Sequence, residues 1–145
     1  MPTNRVSAYY TTALKGTAML FTSRRAQPRT RRQSFRDAFQ GLRDAWGSQP
    51  NLRLQVGISL GVIVLGMVVA LSLLEWLWVS FAIGLVIFAE LMNTAIEQTV
   101  DLAVGLAPDS LARQVKDIAA GCVLVAVALA VTIGAFTFTP HLVQW

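Results

Sequence analysis

Three long apolar stretches, separated by short polar connections, make up most of the chain after residue 53. The first covers residues 54–74 and stops at Glu75, the second covers 76–100, and the third covers 117–139 and is followed by Pro140. A helix needs about 20 predominantly apolar residues to cross a hydrocarbon core about 30 Å thick. The pattern therefore predicts three transmembrane helices over these residues.

The residues before the first span show two different patterns. Residues 1–33 are rich in Arg, contain no acidic residue and lack a long helical periodicity. This composition indicates a flexible, basic cytoplasmic arm attracted to anionic headgroups, although transit peptides share it. From Ser34 onward, apolar residues such as Phe39 and Trp46 recur at helical spacing between charged residues. The second pattern predicts an amphipathic helix over 34–48 that lies in the membrane interface.

The composition supports a membrane protein and excludes several other classes. Only 14% of the residues are charged, whereas soluble domains have about 25%. The excess apolar surface has to face lipid, which excludes a soluble enzyme and a disordered chain. The single cysteine, Cys122, excludes an intrachain disulfide framework and is interpreted as a packing residue. His141 is a lone histidine without an evident partner, and we assign it no catalytic role.

The distribution of basic residues predicts the orientation of the spans. Ten of the twelve Lys and Arg residues precede residue 54, and the other two, Arg113 and Lys116, lie between the second and third spans. By the positive-inside rule, the N-terminus and the 102–117 connection lie in the cytoplasm. The turn at Glu75 and the tail 141–145 then lie outside. We therefore expect a multi-pass protein of the plasma (inner) membrane.

A polar stripe interrupts the cytoplasmic end of the second span. Glu90, Asn93, Glu97 and Asp101 are three, four and four residues apart, which places them within about 80° of arc on one face of a helix. At 1.5 Å per residue from Trp76, Glu90 lies about 21 Å inward and Glu97 about 31 Å. A carboxylate at such a depth is costly unless partnered, so an intramembrane Glu is a functional candidate. The alternative interpretation is a purely structural set of bonds between helices.

Charged residues at the start of the third span are expected at the same level as this stripe. Arg113, Lys116 and Asp117 follow the cytoplasmic connection. Phosphoryl transfer needs carboxylates to hold a divalent cation, a positive charge near the donor phosphates, and a group that positions or deprotonates the attacking hydroxyl. Glu97 and Lys116 suit the first two roles, and Glu90 suits the role of base. A Walker or protein-kinase nucleotide site is excluded, because neither motif is present.

Three motifs resemble those of the prokaryotic diacylglycerol kinase and undecaprenol kinase family of small membrane lipid kinases. The core motif reads Glu90-Leu91-Met92-Asn93-Thr94-Ala95-Ile96-Glu97 with Asp101, and a second reads Val115-Lys116-Asp117 followed by Ala119-Ala120-Gly121. The entry to the membrane reads Ala38-Phe39-Gln40-Gly41-Leu42-Arg43-Asp44-Ala45-Trp46, with Asn51-Leu52-Arg53 just before the first span. The resemblance covers roughly residues 35–137.

The resemblance implies roles for individual residues, an ATP-dependent reaction with Mg²⁺, and homotrimers whose active sites are shared between protomers. It implies that Glu90 is the catalytic base and that Glu97 is a metal ligand. Gln49 stands where the family usually has a second metal-binding Glu. The residues implied to bind ATP are Asn93, Glu97, Asp101, Lys116 and Asp117. The residues implied to contact the lipid are Trp46, Arg53, Glu90 and Ala120.

The leading hypothesis is therefore an all-α kinase domain over 34–140 that phosphorylates a lipid alcohol, either diacylglycerol or undecaprenol. We expect ATP, a lipid alcohol, the membrane and further copies of the chain as partners, and no nucleic acid. One alternative is a non-catalytic membrane protein, or an ion or proton relay, that uses the Glu90–Glu97 stripe. The other is an inactive family member, because Gln49 supplies no charge to a metal.

Overall fold

The secondary structure of the described part of the chain consists of helices, with no strand. The computed structural model describes residues 30–105 and 109–143. The helices are α1 (Arg31–Ser48), α2 (Pro50–Val68), α3 (Leu73–Val104) and α4 (Ser110–Val143). Helices α2, α3 and α4 are each long and apolar enough to cross a membrane. The prediction of an all-α protein with three membrane-crossing helices is thus confirmed. Most of the predicted basic arm lies outside the described residues.

Helix α1 begins earlier than the residue pattern predicts. The Gln33 backbone N–H donates to Thr30 Oγ1 at 3.4 Å, and the Thr30 N–H donates to Gln33 Oε1 at 2.9 Å. This reciprocal pair is a capping box, which satisfies two backbone donors that a helix N-terminus otherwise leaves open. The helix therefore starts at Arg31, and Ser34 lies inside its first turn.

Helix α2 ends at Val68, six residues before the predicted end of the first span at residue 74. The Leu71 N–H donates to Gly66 O at 3.1 Å and the Ala70 N–H to Met67 O at 3.3 Å, while Ala70 has a φ of 53°. These bonds form a Schellman motif, which terminates helices through one left-handed residue. A Cβ at position 66 would lie 2.9 Å from side-chain atoms of Leu71 and of Trp76, so any larger residue there would force these side chains to shift.

Helix α3 starts with a second capping box, and Glu75 is its key residue. The Ser72 N–H donates to Glu75 Oε2 at 2.7 Å, and the Glu75 N–H donates to Ser72 Oγ at 3.4 Å. The other carboxylate oxygen of Glu75 lies 2.8 Å from His141 Nε2 near the end of α4. The expectation that His141 lacks a partner was therefore wrong. Helix α4 also continues through Pro140 to Val143, beyond the predicted end at residue 139.

The helices pack around a small apolar core near this end of the bundle. Leu71, Val79 and Phe138 are buried together, with Trp76 and Ile83 partly buried against them. Helix α3 packs most extensively against α4 and less against α2. Because α2 makes few contacts with α4, an apolar groove remains between these two helices, with α3 as its floor. The groove leads toward the middle of α3, where the polar stripe begins.

Candidate functional site

The four stripe residues predicted on one helix face all lie on α3, and their burial decreases along it. Glu90 is only 3% exposed, Asn93 and Glu97 are half-buried, and Asp101 is exposed. The stripe thus passes from the protein interior to the surface within three helical turns. The candidate role of Glu90 as a base depends on this burial. A carboxylate withdrawn from water needs a partner inside the protein.

The partner of Glu90 is Gln55, a residue that sequence reasoning did not identify. Gln55 lies on α2, and its Nε2 donates to Glu90 Oε2 at 3.2 Å. Its own Oε1 is buried and has no hydrogen-bond partner among the described residues. The only signal in the sequence is a lone amide near the start of an otherwise apolar span. Periodicity places it on a helix but does not say which helix it faces.

One turn further along α3, a second amide bonds a second carboxylate. Asn93 Nδ2 donates to Glu97 Oε1 at 3.1 Å. Within the described part of the chain, Asn93 Oδ1 is buried without a partner. The pair therefore presents a carboxylate beside an unpartnered amide oxygen, and both are oxygen ligands of the kind that Mg²⁺ accepts.

The surface end of the stripe meets the start of α4 through an ion pair. Lys116 Nζ lies 2.5 Å from Asp101 Oδ1. Asp117 lies instead 3.7 Å from Arg113, one turn earlier on the same helix, and both of those side chains are largely exposed. Exposed ion pairs contribute at most about 1 kcal/mol, so the Arg113–Asp117 pair adds little to the stability of the bundle.

The remaining predicted residues are not gathered around Glu90 by any described hydrogen bond. Trp46 is 47% exposed, and Arg53 and Ala120 are exposed. Gln49 is the half-buried residue that precedes α2. Across residues 30–105 and 109–143, no three His, Cys, Asp or Glu side chains are close enough to hold a metal ion together. A metal bound by the described residues alone would therefore have at most two such side chains as ligands, with its other ligands supplied by amide oxygens or by oxygens from elsewhere.

The apolar groove ends at Gln55, the residue that bonds Glu90. It encloses about 390 Å³ between α2, α3 and α4, and its lining is apolar except for Gln55 and Ser59 at one end. Ser59 donates its hydroxyl to the Gln55 backbone carbonyl at 2.8 Å, so its polarity is satisfied locally. At 1.5 Å per residue, the lining of α2 from Gln55 to Leu65 spans about 15 Å. A slender apolar molecule in the groove would thus have its end at the Gln55–Glu90 pair.

Comparison with known proteins identifies the family to which the chain belongs. The sequence pattern of the prokaryotic diacylglycerol kinase family matches residues 36–138. The chain is 36% identical over 110 residues to the undecaprenol kinase of Bacillus subtilis, which covers 76% of this chain and 89% of that protein. It is also 36% identical over 111 residues to the diacylglycerol kinase of Synechocystis sp., covering 77% of this chain and 63% of that protein. The chain therefore belongs to the prokaryotic diacylglycerol kinase family of membrane lipid kinases.

Proposed function

We propose that the chain transfers the γ-phosphate of ATP to the hydroxyl of a lipid alcohol at the cytoplasmic face of the membrane. The observation that carries the proposal is a buried carboxylate, Glu90, whose hydrogen-bond partner Gln55 lies at the polar end of an apolar groove. An amphipathic acceptor with a hydroxyl at the end of a hydrocarbon chain matches both parts of this arrangement. Family membership supplies the reaction class, since the relatives are named as kinases of undecaprenol and diacylglycerol.

In the proposed reaction, Glu90 is the general base. The lipid hydroxyl donates its proton to the carboxylate as the oxygen attacks the γ-phosphorus, and ADP leaves from the opposite side. The groove holds the hydrocarbon chain next to that hydroxyl and excludes water from it. Because Glu90 lies inside the protein, an acceptor has to reach it through the apolar groove, and a lipid bound there would have its hydroxyl positioned for attack.

The phosphate donor is assigned to the more exposed part of the stripe. Glu97 and the unpartnered Oδ1 of Asn93 would hold Mg²⁺ together with phosphate oxygens. Gln49 would be a further ligand through its amide oxygen, without adding charge. Bound there, the ion would neutralise charge on the β- and γ-phosphates. Lys116 would contact the phosphates, and Asp101 and Asp117 would complete the ATP site with it. The Asp101 contact supports this role because it holds the ammonium group at the end of the stripe.

The assembly and orientation are part of the same proposal. We place the N-terminus in the cytoplasm and the C-terminus outside, because the basic residues concentrate before the first span. We also propose a homotrimer in which a neighbouring protomer adds groups to the donor site. In support of close helix contacts, Gly57 and Gly61 of α2 have open space where a side chain would project.

A direct test uses the purified full chain in mixed micelles with Mg²⁺ and labelled ATP. Diacylglycerol and undecaprenol are compared side by side, because each offers a hydroxyl beside a hydrocarbon chain. Labelled phosphate in the lipid fraction, absent when Mg²⁺ is removed, is the expected result. No transfer to either lipid would contradict the proposal. Proton flux in vesicles without transfer would favour a relay, and neither activity would favour an inactive family member.

A further inference from the structure

Gln55 is an unusual residue for its position in the bundle. It lies near the start of a helix whose later residues are almost all apolar, and it is one of two polar residues that line the groove. An amide withdrawn from water costs free energy unless its groups are hydrogen-bonded. Only half of this amide is satisfied, because Nε2 donates to Glu90 while Oε1 is buried without a partner among the described residues.

The chemistry of the pair determines which end of the amide faces Glu90. An ionised carboxylate can only accept hydrogen bonds, so Gln55 must present its N–H groups to it. The bond engages Oε2 of Glu90 at 3.2 Å. The other oxygen, Oε1, accepts no hydrogen bond from the described residues, so it is available to a substrate hydroxyl.

A side-chain carboxylate rotates easily about its last torsion, because that torsion has broad minima. A bond to one oxygen restricts this rotation and keeps the second oxygen in one direction. General base catalysis depends on such placement, since the base must lie within hydrogen-bond reach of the proton that it takes.

We propose that Gln55 is a positioning residue that holds one oxygen of Glu90 and thereby presents the other to the lipid hydroxyl at the end of the groove. The inference rests on the proposed kinase function. Gln55 Oε1 is buried without a partner among the described residues, which is rare for an acceptor in a folded protein. Gln55 itself takes no proton and forms no bond to phosphorus.

Three substitutions separate positioning from simple packing. Gln55→Leu keeps much of the volume and removes the donor. Gln55→Asn keeps the amide but shortens its reach by one methylene, which opens the contact beyond hydrogen-bond distance. Gln55→Glu keeps the shape and replaces the donor with an acceptor. Each is expected to lower kcat about 10- to 100-fold, the range for a hydrogen bond to a charged group.

The KM values for ATP and for lipid should change less than about twofold in all three variants. Thr132→Val is the matched control, because Thr132 is a polar residue of a membrane helix whose hydroxyl, among the described residues, donates to the backbone carbonyl of Ala128 in the same helix and to nothing else. It should retain wild-type kcat. The positioning role would be overturned if Gln55→Asn kept the wild-type kcat. It would also be overturned if the variants lost only affinity for lipid, seen as a higher KM, or only thermal stability.

A spectroscopic measurement makes the test independent of turnover. The infrared carboxylate band of Glu90, assigned by its disappearance in Glu90→Gln, should shift in Gln55→Leu and stay in place in Thr132→Val. A band that does not shift would overturn the inference, as would a shift with unchanged kcat. A different result is possible, in which the band shifts but the wild-type chain phosphorylates no lipid alcohol. The proposed function and the positioning role would then both be wrong, whereas the Gln55–Glu90 hydrogen bond would be confirmed.

Discussion

Glu90→Gln is the most informative single substitution for the proposed reaction. The new amide has nearly the shape of the carboxylate, and its oxygen can still accept the hydrogen bond from Gln55 Nε2. The buried donor on α2 therefore keeps a partner. What disappears is the ability of residue 90 to take a proton from a hydroxyl, so the change isolates the role of the base from the role of the contact.

The expected loss follows from the size of base catalysis. A positioned general base contributes about 10²- to 10⁴-fold to the rate, and each tenfold corresponds to about 1.4 kcal/mol in the barrier. We expect kcat to fall within that range. The free energy of unfolding should change by about 1 kcal/mol or less, because a bond to a charged acceptor is exchanged for one to a neutral acceptor.

The assay measures transfer of labelled phosphate from ATP to lipid in mixed micelles, with the unfolding midpoint measured on the same preparation. Glu90→Ala serves as the comparison, because it removes the base and also leaves the Gln55 donor without a partner, at a cost of about 1–3 kcal/mol. Both variants should have similarly low kcat, but Glu90→Ala should lose more stability than Glu90→Gln. A Glu90→Gln enzyme within tenfold of wild-type turnover would refute the assignment of Glu90 as base.

Further predictions concern the turn, the donor site and the far end of the bundle. Ala70→Gly should raise the free energy of unfolding by about 1 kcal/mol, because Ala70 has a positive φ that glycine adopts without strain; an unchanged or lower denaturant midpoint would contradict this. Lys116→Met should raise the KM for ATP at least tenfold, measured by varying ATP at saturating lipid, because it removes the cation that Asp101 holds at the end of the stripe. An effect confined to the KM for lipid would exclude that role. His141→Ala should lower the thermal unfolding midpoint while the KM for ATP stays unchanged, because it removes the link between Glu75 and the end of α4. A variant with the wild-type midpoint would show that this contact does not stabilise the bundle.

Residue patterns alone were sufficient to predict the features that depend on residues close together in the sequence. The three membrane helices follow from apolar length, because roughly 20 apolar residues in a row have few alternatives to crossing a bilayer. The stripe from Glu90 to Asp101 follows from the helical repeat, because residues three and four apart share a face. The structure places these residues together on α3, as the repeat requires.

Features that join different helices required the tertiary structure. Gln55 and Glu90 are 35 residues apart, and Glu75 and His141 are 66 residues apart. Their contacts depend on how far each helix is rotated about its own axis and on where each turn ends. The turn between α2 and α3 also lacks the usual signal, because Ala70 occupies the left-handed position where glycine is expected.

The sequence by itself thus determined that this is a three-span membrane protein with carboxylates on one helix face, and its motifs indicated the family. Only the tertiary structure decided that Glu90 is held by Gln55 and that an apolar groove ends at this pair. The physical reason is that a helix repeats every 3.6 residues whatever surrounds it, whereas the partner of a buried side chain is chosen by the packing of neighbouring helices.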